Sequence, residues 1–176
     1  MVSQRRLVID PSIARAAGGV DAVFPTSKIC RDTLSEVLTI GHQLVMTTDL
    51  RDEWRRHQSR FARTWLVSMY ARRKVHTADD VSRNESLRLG LIRTAELAVQ
   101  RAAILKDCHL VEAALATDRA ILSLDERMRA LLHRAAASVE DLQQVAWVNP
   151  TNAAEGCSEW LHAGAEPERW RCLGSE

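Results

Sequence analysis

The run Ala120-Ile121-Leu122-Ser123-Leu124 constrains the fold more than any other stretch of the chain. It is almost continuously apolar, long enough for a strand and too short for a helix. Such runs suit parallel strands buried on both faces, because helices cover both sides of a parallel sheet. Arg6 to Ile9, Gln43 to Thr47 and Val145 to Val148 are further short apolar runs, and Lys74 to His76 reads as either a strand or a loop. Between them lie segments with helical spacing. Short apolar strands alternating with helices point to a parallel-sheet α/β domain.

The intervening segments read as follows. Pro11 suits the first turn of a helix that Ile13 to Ala17 continue and Gly18-Gly19 close. Val20 to Thr26 is a loop, with Asp21 a solvated turn residue. Ser27 to Ile40 is helical, with Ile29, Leu34, Val37 and Leu38 apolar and Glu36 off that face in solvent, and it ends at Gly41. Thr48 or Asp49 caps one long helix whose stripe is Leu50, Trp54, His57, Phe61 and Trp65, with His57 read as a core histidine. Its other face carries Arg51, Arg55, Arg56, Arg60 and Arg63, followed by Arg72-Arg73-Lys74. Such a charged face is either solvated surface or a phosphate-contacting patch. Thr77 to Asn84 is polar, with Asp79 and Asp80 as cap or turn residues. Glu85 to Ile104 is helical with an interruption near Gly90, and a short helix headed by Asp107 follows. Glu126 to Ala137 is a further helix.

At 176 residues the chain is long enough to bury a core without staples, and its length fits one domain. Composition shifts after Pro150, so residues 1–150 read as the domain and 151–176 as a C-terminal extension. Trp160-Leu161 and Trp170 argue that this extension packs on the domain, through a helix near Ser158 to His162. The net charge of +1 carries no global basic field, so any nucleic-acid contact has to be local. Cys30, Cys108, Cys157 and Cys172 show no metal-ligand spacing, and Cys108 reads as a small buried hydrophobe. With no signal-like N-terminus and no run of transmembrane length, the expectation is a reduced, cytoplasmic protein without membrane contact.

Four acids stand at the ends of strands or near the heads of helices. Asp10 ends the first strand, Glu53 lies in the first turn after the second, Asp107 heads a helix and Asp125 follows Leu124. Each has an ordinary explanation as a cap or as a complement to a helix dipole. In open parallel sheets, however, ligands bind at the carboxyl ends of the strands. Carboxylates gathered there repel one another, and a divalent cation relieves that repulsion. Oxygen-only ligands select a hard ion, Mg²⁺ or Mn²⁺. The chemistry that follows is phosphodiester hydrolysis by metal-activated water.

Asp10-Pro11-Ser12, Thr47 to His57, Lys106 to Leu115 and Ser123 to Glu126 together resemble a PIN domain, over most of residues 5 to 150. The resemblance implies a doubly wound α/β fold and a metal-dependent ribonuclease. It implies that Asp10, Glu53, Asp107 and Asp125 form the catalytic, metal-binding cluster, with the hydroxyls of Ser12 and Ser123 beside it as support. Arg55, Arg56 and Lys106 are the candidates for RNA contact. A toxin with a cognate antitoxin as protein partner, and a homodimer, are compatible with the family. The alternative is a catalytically weak PIN-like module that binds RNA or a protein partner. A receiver-like or phosphatase domain is disfavoured, since no lysine follows a late strand and no glycine-rich phosphate loop is present.

Overall fold

A computed structural model describes residues 3–18 and 23–175 of the chain. The expected glycine stop at Gly19 and the turn residue Asp21 lie outside the described residues. The fold is α/β: a five-stranded parallel sheet flanked by eight α-helices among the described residues. Strands β1 (Arg6–Ile9), β2 (Gln43–Met46), β3 (Val75–Thr77), β4 (Ala120–Leu122) and β5 (Ala146–Val148) are arranged in the order β3-β2-β1-β4-β5. Register pairs Leu7 with Leu44, Val8 with Ile121 and Ile121 with Trp147. All three residues of β4 and of β5 are buried, as expected of strands covered on both faces.

The helices are α1 (Pro11–Ala16), α2 (Thr26–Ile40), α3 (Thr48–His57), α4 (Arg60–Ala71), α5 (Glu85–Thr94), α6 (Ala98–Leu115), α7 (Glu126–Ala135) and α8 (Cys157–His162). Strand order runs outward from β1 in both directions. Right-handed crossovers therefore place α1 to α4 on one face and α5 to α7 on the other. The packing agrees: α1 touches α2, α3 and α4, while α5, α6 and α7 touch one another. Helices α3 and α6 also meet. The order reverses between β1 and β4, so the crevice at their carboxyl ends is the topological switch point of a doubly wound sheet.

Several expectations need correction. The stripe from Leu50 to Trp65 belongs to two helices, because Ser59 breaks the run. Its hydroxyl caps α4 by accepting from the Ala62 amide at 3.2 Å, and its own amide donates to the Ala14 carbonyl at 3.1 Å. Leu50, Trp54 and Trp65 stay in the core, but His57 ends α3 and is exposed. The cap of α3 is Thr47, whose hydroxyl accepts from the Leu50 amide, so Glu53 falls in the second turn. Gly90 lies inside α5. The interruption comes at Ala95 to Leu97, where the Gln100 side chain accepts from the Glu96 and Leu97 amides. From there α6 runs unbroken to Leu115, so Asp107 stands halfway along a helix and caps nothing. Glu36 is half-buried and accepts a hydrogen bond from Ser158.

The C-terminal segment is tied to the sheet. Trp160 and Leu161 of α8 are buried, and α8 packs on α2. His42 accepts from the Arg5 amide through Nδ1 and donates from Nε2 to the Leu161 carbonyl at 2.9 Å, joining chain ends that are far apart in sequence. Cys172 forms an antiparallel bridge with Ala146, and the Leu173 amide donates to the Val145 carbonyl. This contact covers the outer edge of β5, which would otherwise offer unpaired backbone groups. No helix among the described residues is long and apolar enough to cross a membrane.

Candidate active site

The chain turns from β1 into α1 at Asp10 because Pro11 follows it. A residue before proline is held extended, and Asp10 sits at φ −60°, ψ 137°. Proline then starts the helix without needing an amide donor. The Asp10 carboxylate accepts from the Ser12 amide at 3.1 Å, the Ser12 hydroxyl at 2.9 Å and the Ser123 hydroxyl at 2.5 Å. Those hydroxyls accept in turn, Ser12 from the Leu124 amide and Ser123 from the Asp125 amide. The two serines thus stitch the ends of β1 and β4 together around one carboxylate. The resemblance implied that both hydroxyls lie beside the acidic cluster, and here both contact Asp10.

Glu53 is positioned by its neighbour. The Trp54 indole, 1 % exposed, donates to the Ile9 carbonyl at 2.9 Å and stacks on Trp65 with ring centroids 5.8 Å apart. This pins α3 against the end of β1, one residue from Asp10. Asp107 approaches from the other face of the sheet on α6. Asp125 caps α7 by accepting from the Met128 amide at 2.8 Å, so the ordinary role foreseen for it holds.

All four acids line one cavity of about 170 Å³, together with Pro11, Ser12, Arg15, His57 and Lys106. The Asp107 side chain is 17 % exposed, and burial raises its pKa above the usual carboxylate range. The Asp10 and Glu53 charges add to that rise, while Lys106, with Nζ 3.6 Å from Asp107 Oδ1, opposes it. Mutual repulsion of carboxylates at one crevice is thus felt at Asp107. The all-oxygen donor set fits a hard divalent cation that keeps much of its water. Among the described residues, however, no three histidine, cysteine, aspartate or glutamate side chains form a group that could hold a metal ion.

A second cavity, about 230 Å³, adjoins the first between α3 and α6 and shares Glu53 and Lys106 with it. Asp49, Asp52, Arg56, Arg83, Arg88 and His109 also line it. Arg56 and Lys106 are exposed there, as candidates for phosphate contact should be, whereas Arg55 lines neither cavity. Arg88 is engaged elsewhere, in a bidentate pair with Glu112. Sequence reasoning passed over Arg15, Arg83 and His109. Arg15 and Arg83 are lone cations whose direction only the folded chain fixes. His109 had one signal, its three-residue spacing from Lys106, which places both on one helical face. Compared with known proteins, the chain matches no family model, no curated protein and no solved structure.

Proposed function

We propose that this chain is a PIN-like, divalent-metal-dependent endoribonuclease, with Asp10, Glu53, Asp107 and Asp125 as its acidic cluster. The observation that supports this reading is the single cavity at the switch point, lined by acids from four separate segments of the chain. A bound Mg²⁺ or Mn²⁺ would neutralise the carboxylates and supply activated water for phosphodiester hydrolysis. The protein's share of the work is positional. Ser12 and Ser123 fix the Asp10 carboxylate, Trp54 holds α3 so that Glu53 faces the cavity, and Lys106 offers a cation to a phosphate. The raised pKa of Asp107 marks the point where a cation is most wanted.

A second reading, a PIN-like module that binds RNA or a protein partner without cutting, is favoured by two observations. Asp10 and Asp125 are both engaged as helix caps, and no three ligands converge among the described residues. Cleavage of a mixed RNA pool with Mn²⁺, with Mg²⁺ and with EDTA, comparing the parent chain and Asp107→Asn, separates the two. Metal-dependent products that vanish in the variant are expected of the nuclease. Metal binding without any cleavage by the parent chain would leave the binding module as the better account.

A further inference from the structure

The cations that line the cavity between α3 and α6 differ in what they touch. Arg88 is spent on Glu112, and Lys106 stands 3.6 Å from Asp107. Arg56 and Arg83 are exposed, and among the described residues neither forms an ion pair, although Asp49 and Asp52 line the same cavity. Arg56 donates only its Nε, to the Asp52 carbonyl at 3.2 Å, which leaves its two terminal nitrogens free. The backbone beside Arg83 is fixed. The Asn84 amide donates to the buried Glu112 of α6 at 2.7 Å, and the Asn84 side chain caps α5 by accepting from the Leu87 amide at 3.0 Å. The cavity therefore receives one unpaired guanidinium from α3 and one from the start of α5.

We infer that Arg56 and Arg83 together hold the RNA phosphate next to the scissile one, in the cavity between α3 and α6. The inference rests on the nuclease reading for where the scissile phosphate lies, and it adds a second phosphate subsite. At about 230 Å³ the cavity is smaller than a pocket that encloses a drug-sized ligand, so it suits a single group. Two unpaired guanidiniums beside so small a space repel each other, and an anion with several acceptor oxygens relieves that repulsion. Arginine forks match phosphate oxygens in pairs, which a lysine cannot do. The acids present do not cancel the site. Asp49 lies in the first turn of α3, where the helix dipole accounts for it, and Asp52 is exposed, so solvent and salt screen it. Because this cavity shares Glu53 and Lys106 with the acid-lined one, a single strand can set consecutive phosphates in the two, with Lys106 between them. The substrate then needs at least two consecutive phosphodiesters.

The test is fluorescence anisotropy of the full chain with a fluorescein-labelled 12-nucleotide oligouridylate in EDTA, titrated at several NaCl concentrations. Binding is read without cleavage, so the result does not depend on turnover. Arg56→Gln and Arg83→Gln should each weaken binding roughly tenfold at fixed salt, the scale of hydrogen bonds to a charged group. The slope of log K against log salt counts phosphates neutralised, at about 0.7 for each one on a single strand. The double variant should therefore lower the slope by about 0.7 in total, because both arginines serve one phosphate. Arg60→Gln removes an exposed arginine of α4 that lines neither cavity, and it should keep the wild-type slope. A fall of about 1.4 in the double variant would mean two separate phosphates and would overturn the shared subsite. So would an equal loss in Arg60→Gln, or a wild-type chain that binds no oligouridylate. Mn²⁺-dependent cleavage by a chain whose double variant binds as wild type does removes the subsite and leaves the nuclease reading intact. Binding that depends on both arginines, in a chain that cuts no RNA, upholds the subsite and defeats the nuclease reading.

Discussion

Replacing Arg88 with methionine tests how α5 is held against the helix that carries Asp107. Glu112 is buried on α6, with its side chain 5 % exposed, and Arg88 is 11 % exposed. The carboxylate receives Arg88 Nε and Nη2, each at 2.8 Å, and the Asn84 amide at 2.7 Å. Burial alone would raise the Glu112 pKa, but the hydrogen bonds from Arg88 and Asn84 bring it below the usual value. Arg88→Met keeps the stem's packing and strands a buried negative charge with one amide. Breaking a buried pair in this way costs about 3–5 kcal/mol. For a chain of this size, roughly 2–4 °C per kcal/mol, the melting temperature should fall by roughly 6–20 °C at pH 7.

The pH dependence carries a sign. With a depressed folded pKa, wild-type Glu112 contributes stability at pH values above its unfolded pKa, and that contribution is lost as pH falls through the folded value. In Arg88→Met the burial effect prevails and the same group is protonated more easily in the folded chain. The gap between wild type and variant should therefore narrow between pH 7 and pH 4. The double variant Arg88→Met/Glu112→Gln removes both charges and keeps an acceptor for Asn84, so it should recover most of the loss. Urea denaturation at several pH values measures all three chains. A single variant within about 1 kcal/mol of wild type, or a gap independent of pH, would refute the account of Glu112 as a charge held by Arg88.

Three other outcomes follow from the same geometry. Asp107→Asn should raise the melting temperature of the metal-free protein at pH 7, by roughly 2–4 °C per kcal/mol regained. Because the folded pKa of Asp107 is raised, its stabilising share is complete only below the unfolded pKa and is lost as pH rises, so the gain should shrink in acid. Trp54→Phe removes the indole donor to the Ile9 carbonyl and should cost about 1–3 kcal/mol in chemical denaturation, since that carbonyl's partner is buried. Cys30, Cys108, Cys157 and Cys172 are free and buried, and burial pushes the Cys108 and Cys157 thiols up to about 12 and Cys30 up to about 11. A thiol reagent at pH 8 should label none of them until denaturant is added, and rapid labelling of Cys108 in the native protein would contradict its burial.

Much of the fold can be read locally because its determinants are local. Short apolar runs mark strands buried on two faces, Pro11 forces the strand-to-helix turn at Asp10, and Gly41 ends α2 at φ 91° where a side chain would be strained. Asp10, Ser12, Ser123 and Asp125 sit at those junctions, so their neighbourhood is implied once the strands are parallel. Helix boundaries within polar stretches are not local in this sense. Ser59 breaks a run of good helix formers because its amide finds the Ala14 carbonyl, a partner no window of sequence contains.

The sequence by itself therefore determined four of the five strands, the parallel α/β class and the acids at two strand ends, because hydrophobic period and turn chemistry act over a few residues. Strand β3 (Val75–Thr77), legible only as a strand or a loop, was decided by its pairing with β2. Only the tertiary structure decided that Asp107 stands mid-helix, that His57 is exposed, and that His109 faces Glu53 across the junction of α3 and α6. Those facts depend on crossovers that bring helices from opposite faces of the sheet together over its edge. Such contacts join residues 56 positions apart (His109 and Glu53), and no periodicity along the chain encodes which side chains meet there.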